Sequence, residues 1–180
     1  MPKTRHEIDR SAKITELLDI AERLFNERGY AGTTTAALAG AAGVAQNAVY
    51  WYFPSKDHLF VAVLDRMLDN LIADIRAAGR RPLVDQVLYA AERLERTQDL
   101  NVAVLDRARK SEIVAGFGPR IQTALRTALF EAVTRQGPTA DAGLVADSIL
   151  ALARGTHGMP RQPRRKLLTF ALNRLLVANK

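Results

Sequence analysis

The sequence predicts an all-α fold of about nine helices, and three observations carry that reading. Apolar residues recur at i, i+3, i+4 and i+7 almost from end to end, glycine and proline fall between the periodic segments, and no stretch alternates apolar with polar as a half-buried strand would. Ile14, Leu17, Leu18, Ala21, Leu24 and Phe25 mark the first helix, with Gly29 placed to end it at the residue beyond the C-cap. A short pair follows. Thr34 and Thr35 offer capping hydroxyls ahead of Leu38, Ala39 and Ala42, Gly43 allows a positive-φ turn, and Val44 re-enters the core. The next helix, about 45 to 52, turns Val49 and Phe53 inward at i, i+4 spacing. Ser55 then caps a long helix, about 55 to 78, striped by Leu59, Phe60, Val63, Leu64, Met67, Leu68, Leu71 and Ile75. At 1.5 Å per residue it spans about 35 Å, enough to connect two domains. Beyond Pro82 the pattern predicts helices at about 83–97, 100–115, 119–136, 139–156 and 163–178, separated by glycine- and proline-containing breaks.

The segment TTTAALAGAAGVAQNAVYWYFPSKDHL, residues 33 to 59, is the most informative about function. It reads as a helix-turn-helix in which burial of Val49 and Phe53 leaves Gln46, Asn47, Tyr50 and Trp51 facing outward. Gln and Asn can pair with base edges, while Tyr and Trp donate to phosphates. Thr35 stands where a hydroxyl and free helix amides favour a phosphate. Lys56 lies in the first turn of the long helix, where a cation opposes the helix dipole, so a phosphate partner accounts for it better than stability does.

Gly29-Tyr30, Thr34-Thr35, Leu38-Ala39, Ala42-Gly43-Val44, the run Val49-Tyr50-Trp51-Tyr52-Phe53, and Ser55-Lys56-Asp57 with Leu59 together resemble, without gaps, the DNA-binding module of the TetR family of bacterial transcriptional regulators. The resemblance covers the first third of the chain. It implies that Tyr50 meets DNA, that Trp51 and Tyr52 flank it at the backbone, and that Phe53 packs inside. It further implies a DNA-binding domain over residues 1–54 and a ligand-binding and dimerisation domain over 55–180. The expected DNA-binding set is Thr34, Thr35, Gln46, Asn47, Ala48, Tyr50, Trp51, Tyr52 and Lys56. Ala36, Ala45 and Ala48 depart from members that carry polar contacts there, which shifts weight from base readout to DNA shape.

The net charge of +7 fits a nucleic-acid partner, yet residues 1 to 60 balance seven Lys/Arg against seven Asp/Glu. The excess lies in the last third, around Arg161, Arg164, Arg165 and Lys166, where a solvated loop and helix start is the simpler reading. Lys3, Arg5, Arg10 and Lys13 precede or open the first helix on the side where family members approach DNA. The absence of cysteine excludes disulfides and thiolate metal sites, and His6, His58 and His157 are scattered, so neither a metal nor a cofactor is expected. No apolar run is long enough for a membrane span, and the first ten residues lack the apolar segment of a secretory signal, so a cytoplasmic protein is expected.

The last two helices carry wide apolar stripes, Leu144, Val145, Ile149, Leu150 and Leu152, then Leu167, Leu168, Phe170, Ala171, Leu175 and Leu176. One face serves the protomer, so the surplus predicts a four-helix contact in a homodimer. Met67, Gln86, Tyr89, Phe117 and Phe130 are candidates for the wall of an effector cavity, as are Gln122, Arg107 and His157, although core packing explains the apolar ones as well. The expected function is therefore a ligand-responsive regulator, a repressor that binds a pseudo-palindromic operator in double-stranded DNA and answers to an apolar small molecule. The rival is an all-α enzyme or small-molecule carrier without DNA binding. No nucleophile triad, close carboxylate pair or nucleotide loop stands out to support catalysis.

Overall fold

The computed structural model describes residues 5–79, 81–137 and 141–178. Among them are ten helical segments and no strand: α1 (Arg5–Gly32), α2 (Thr35–Ala41), α3 (Gln46–Tyr52), α4 (Lys56–Ala77), α5 (Leu83–Glu95), α6 (Gln98–Ala108), α7 (Glu112–Ala115), α8 (Phe117–Thr134), α9 (Ala142–Gly155) and α10 (Arg161–Ala178). Since α7 is a single turn, nine of these are helices of seven residues or more, in line with the all-α expectation.

The chain forms two compact units. The first comprises residues 1–67 and 97–117, the second residues 68–96 and 118–180. Their boundaries differ from those of the expected functional domains, 1–54 and 55–180. Helix α4 belongs to the first unit up to Met67, and α6 returns to pack against α1 with α7 beside it.

In the first unit Leu17, Ala21, Leu24, Phe25, Leu38, Val49, Leu59, Phe60 and Val63 are all buried. Gly29, at φ 67°, kinks α1 where the sequence places its end, and buried Thr33 answers the break by donating to the carbonyls of Leu24 and Gly29 at 3.0 and 2.9 Å. The expected helix at 100–115 is two segments. Lys110 N–H bonds Arg107 C=O in a turn, and Ser111 is extended (φ −146°, ψ 114°), which separates α6 from α7.

In the second unit α5, α8, α9 and α10 enclose Leu83, Val87, Leu88, Ala132, Val133, Val145, Ile149, Leu168 and Leu172. Pro119 and Pro163, where the sequence pattern starts two helices, sit at the third residue of α8 and α10, which begin two residues earlier. First-turn N–H groups have no partner within the helix, so a proline there removes nothing. Arg164 is 3% exposed and is held by Glu95, which receives Nη1 at 3.0 Å and a second bond from Nη2, with Met159 C=O accepting from Nη2 at 2.8 Å. Arg161 pairs with Glu92 at 2.8 Å, and Arg165 pairs with Asp85. The basic run of α10 is thus largely committed to acids on α5.

Candidate nucleic-acid interface

Helices α2 and α3 form the expected pair. Thr34 is the N-cap of α2: its backbone is extended and its Oγ1 accepts from Ala37 N–H at 3.0 Å. The helix ends in a Schellman arrangement, with Val44 N–H on Ala39 C=O at 3.0 Å and Gly43 N–H on Gly40 C=O at 3.3 Å. This closure needs φ of +63° at residue 43, where glycine stands. Leu38 and Val49, both wholly buried, and Phe53, 7% exposed, lock the pair to the first unit's core. The outward face of α3 follows from that anchoring.

On this face Gln46, Asn47, Tyr50 and Trp51 are exposed, while Ala48 and Tyr52 are half-buried. Trp51 is 85% exposed, an unusual cost for so large an apolar surface in a protein with no partner. Thr35 has its hydroxyl 3.0 Å from Tyr50 Oη, and it accepts from Gln46 Nε2 at 3.2 Å. Thr34 alone therefore does the capping, and Thr35 links α2 to α3. Beside them, Arg10 and Asp9 of α1 face Ala48, Trp51 and Tyr52 across a groove of about 790 Å³. Lys13 is occupied by Glu16 at 2.9 Å and by the Ala42 carbonyl at 3.4 Å. Lys3 and the side chain of Arg5 lie outside the described residues.

Where α4 begins, Ser55 caps through its Oγ, which accepts from His58 N–H at 3.3 Å. Lys56 places its ammonium 4.1 Å from the centre of the Tyr30 ring. Burial and the nearby Arg107 charge lower the Lys56 pKa, opposed by Asp57. The ring gives this lysine an internal partner that the sequence did not reveal. Asp57 is 8% exposed and receives Arg107 Nε and Nη2 at 2.8 and 2.9 Å, together with the Tyr30 hydroxyl and Ser111. The Arg107 fork, aided by Tyr30 and Ser111, holds the Asp57 carboxyl well below the usual carboxylate range despite burial. Burial and the bond to Asp57 push the Tyr30 phenol up to about 12. Phe25 and Phe60 pack on the Tyr30 ring at 6.1 and 4.9 Å between centroids. This cluster ties the end of α1, the start of α4 and α6 into one body. Arg107, a cavity candidate by sequence, is held by its fork on Asp57, a partner 50 residues away that leaves no local signal.

Met67 and buried Phe117 belong to the first unit, whereas Gln86, Tyr89 and Phe130 belong to the second. Phe130 is 42% exposed. Tyr89 donates to Asp74 at 2.7 Å and, with Ala77, Ala78 and Arg81, lines an open hollow of about 380 Å³ against the end of α4. Gln86 is 2% exposed, gives Nε2 to Arg81 C=O at 2.9 Å, and leaves Oε1 unpaired. Exposed His157 lies near Glu95 at 3.5 Å. Among the described residues no group of three or more His, Asp or Glu could hold a metal, and no helix is long and apolar enough to cross a membrane.

Residues 17–63 match the family model of the bacterial regulatory proteins of the tetR family. The chain is 42% identical over 67 residues to the HTH-type transcriptional repressor KstR2 of Rhodococcus jostii, covering 37% of this chain and 33% of that one. It spans about a third to a half of the length of the curated relatives it matches. Its fold is similar to a TetR transcription regulator from Haloarcula marismortui, with a TM-score of 0.72 at 19% identity over 94% of this chain and 98% of the other. It is also similar to a transcriptional regulator from Saccharomonospora viridis in complex with choline, with a TM-score of 0.68 at 17% identity over 91% and 96% of the two chains. The helix-turn-helix module over residues 17–63 is thus that of the tetR family of bacterial regulatory proteins, and the fold of the whole chain is similar to that of solved TetR regulators.

Proposed function

We propose that this protein is a DNA-binding transcriptional regulator, a cytoplasmic repressor that binds a pseudo-palindromic operator as a homodimer and releases it when a small molecule binds. The observation that carries the reading is the outward face of α3. Gln46, Asn47, Tyr50 and Trp51 are presented to solvent by a helix whose other side is locked into the core. A helix of that kind fits the major groove, where amide side chains meet base edges and aromatic groups reach phosphates. Thr34, Thr35, Ala48, Tyr52 and Lys56 surround that face and complete the proposed DNA-binding set.

Dimerisation is supported by apolar side chains that the second unit leaves uncovered: Phe130 on α8 (42%), Leu144 on α9 (59%), and Leu167 and Phe170 on α10 (39% and 67%). The effector reading is supported by Tyr89 in the hollow beside the end of α4 and by the buried, half-satisfied Gln86. A gel shift with genomic fragments across a salt series tests the function. Sequence-selective retardation that weakens steeply with salt is expected, and failure to retard any fragment at low salt would refute the reading.

A further inference from the structure

The Thr35 hydroxyl is not used where its position in the sequence points. Thr34 already caps α2, so Thr35 is free to accept from Gln46 Nε2 at 3.2 Å and to share a hydrogen bond with Tyr50 Oη at 3.0 Å. Gln46 and Tyr50 stand at i, i+4 on α3 and so lie on one face, with Thr35 reaching them from α2. We propose that Thr35 is a positioning residue that fixes the Gln46 amide so that α3 reads adenine and rejects guanine, an inference that rests on the DNA-binding function above.

The hydrogen inventory carries the argument. A glutamine amide has one carbonyl and two N–H donors. Thr35 occupies one N–H, which leaves the carbonyl and the other N–H for an outside partner. Adenine offers the complement in the major groove, an N6 donor and an N7 acceptor. Guanine offers two acceptors, O6 and N7, which an untethered amide could meet with both of its N–H groups. Thr35 withdraws one of them. The tether also restricts a side chain that otherwise loses rotamer freedom on binding. In the Thr35–Tyr50 pair one hydroxyl donates to the other, so one hydroxyl hydrogen remains for a phosphate oxygen or base acceptor alongside.

The test is binding-site selection from a library of randomised DNA duplexes, followed by titration of the selected duplex and its adenine-to-guanine variant. Wild type should select a half-site with a fixed adenine that Gln46→Ala no longer specifies. Thr35→Val, which keeps the shape and loses the hydroxyl, should reduce the adenine-over-guanine preference about tenfold, within the range of one bidentate base contact. Thr35→Ser should restore it, and Tyr50→Phe should show a smaller loss in the same direction. If Thr35→Val weakened all duplexes equally and kept the preference, Thr35 would be a phosphate contact and the inference would fall while DNA reading stood. If wild type enriched no sequence, the functional reading would fall with it.

Discussion

Replacing Tyr30 with phenylalanine removes only the hydroxyl from the cluster that joins α1, α4 and α6. The ring contacts with Phe25, Phe60 and the Lys56 ammonium all survive the change, because each involves the ring and not the hydroxyl. What is lost is chiefly the O–H donated to Asp57, a carboxylate only 8% exposed that keeps the two bonds from Arg107, along with the hydroxyl's own contact to Arg107. A hydrogen bond to a charged group contributes about 1.5–3 kcal/mol. For a chain of this size, roughly 2–4 °C of melting temperature accompanies each kcal/mol, so Tyr30→Phe should melt about 3–12 °C below wild type. Far-UV circular dichroism at neutral pH measures it. The phenol adds a second readout, since its pKa is raised from 10.0 to about 12 in the fold. Its contribution is full below the unfolded value and is lost as pH rises through the folded one, so wild type should lose stability across that alkaline range and the variant should lack this loss. A variant that melts within about 1 °C of wild type would refute the assigned role of the Tyr30–Asp57 bond.

Asp57, whose pKa is lowered, contributes stability that is present above the ordinary carboxylate value near 3.9 and is lost as pH falls below it toward the folded value. Asp57→Asn should therefore be less stable at neutral pH and show a shallower acid limb in pH-dependent melting. Asn47→Ala should change the sequence selected from randomised duplexes, whereas Lys56→Ala should weaken all duplexes alike and lower the salt slope by about one phosphate, as read by titration at several salt concentrations. Phe170→Glu and Leu144→Glu place charges on exposed positions and should yield folded monomers in sedimentation. Leu168→Glu, at a wholly buried position, should unfold the protomer instead of merely dissociating the dimer.

Local rules made the helix-turn-helix legible. Glycine at residues 29 and 43 marks positive φ, Thr34 caps α2, and i, i+4 spacing puts Val49 and Phe53 inside and Gln46 and Tyr50 out. What stayed hidden depends on contacts between distant residues. The fork from Arg107 to Asp57 joins positions 50 apart and accounts for α6 packing within the first unit. Thr35 looks like a second cap in sequence, because only the turn at Gly43 brings Gln46 and Tyr50 to its hydroxyl. The α10 arginines read as a free basic run since their acid partners on α5 lie about 70 to 80 residues away. Proline at residues 119 and 163 marked the starts of α8 and α10 to within two residues, because a first-turn position has no helical N–H bond to lose.

The most direct test of the DNA-binding claim uses the chain's one tryptophan, Trp51, which stands 85% exposed on α3. Its emission is followed while fluorescently labelled duplex DNA is titrated at low and high salt, with anisotropy of the label reporting binding independently. A saturable change in Trp51 emission that tracks anisotropy at low salt and weakens as salt rises is expected. Binding by anisotropy with unchanged Trp51 emission would place the DNA away from α3, and no binding at low salt would contradict the function itself.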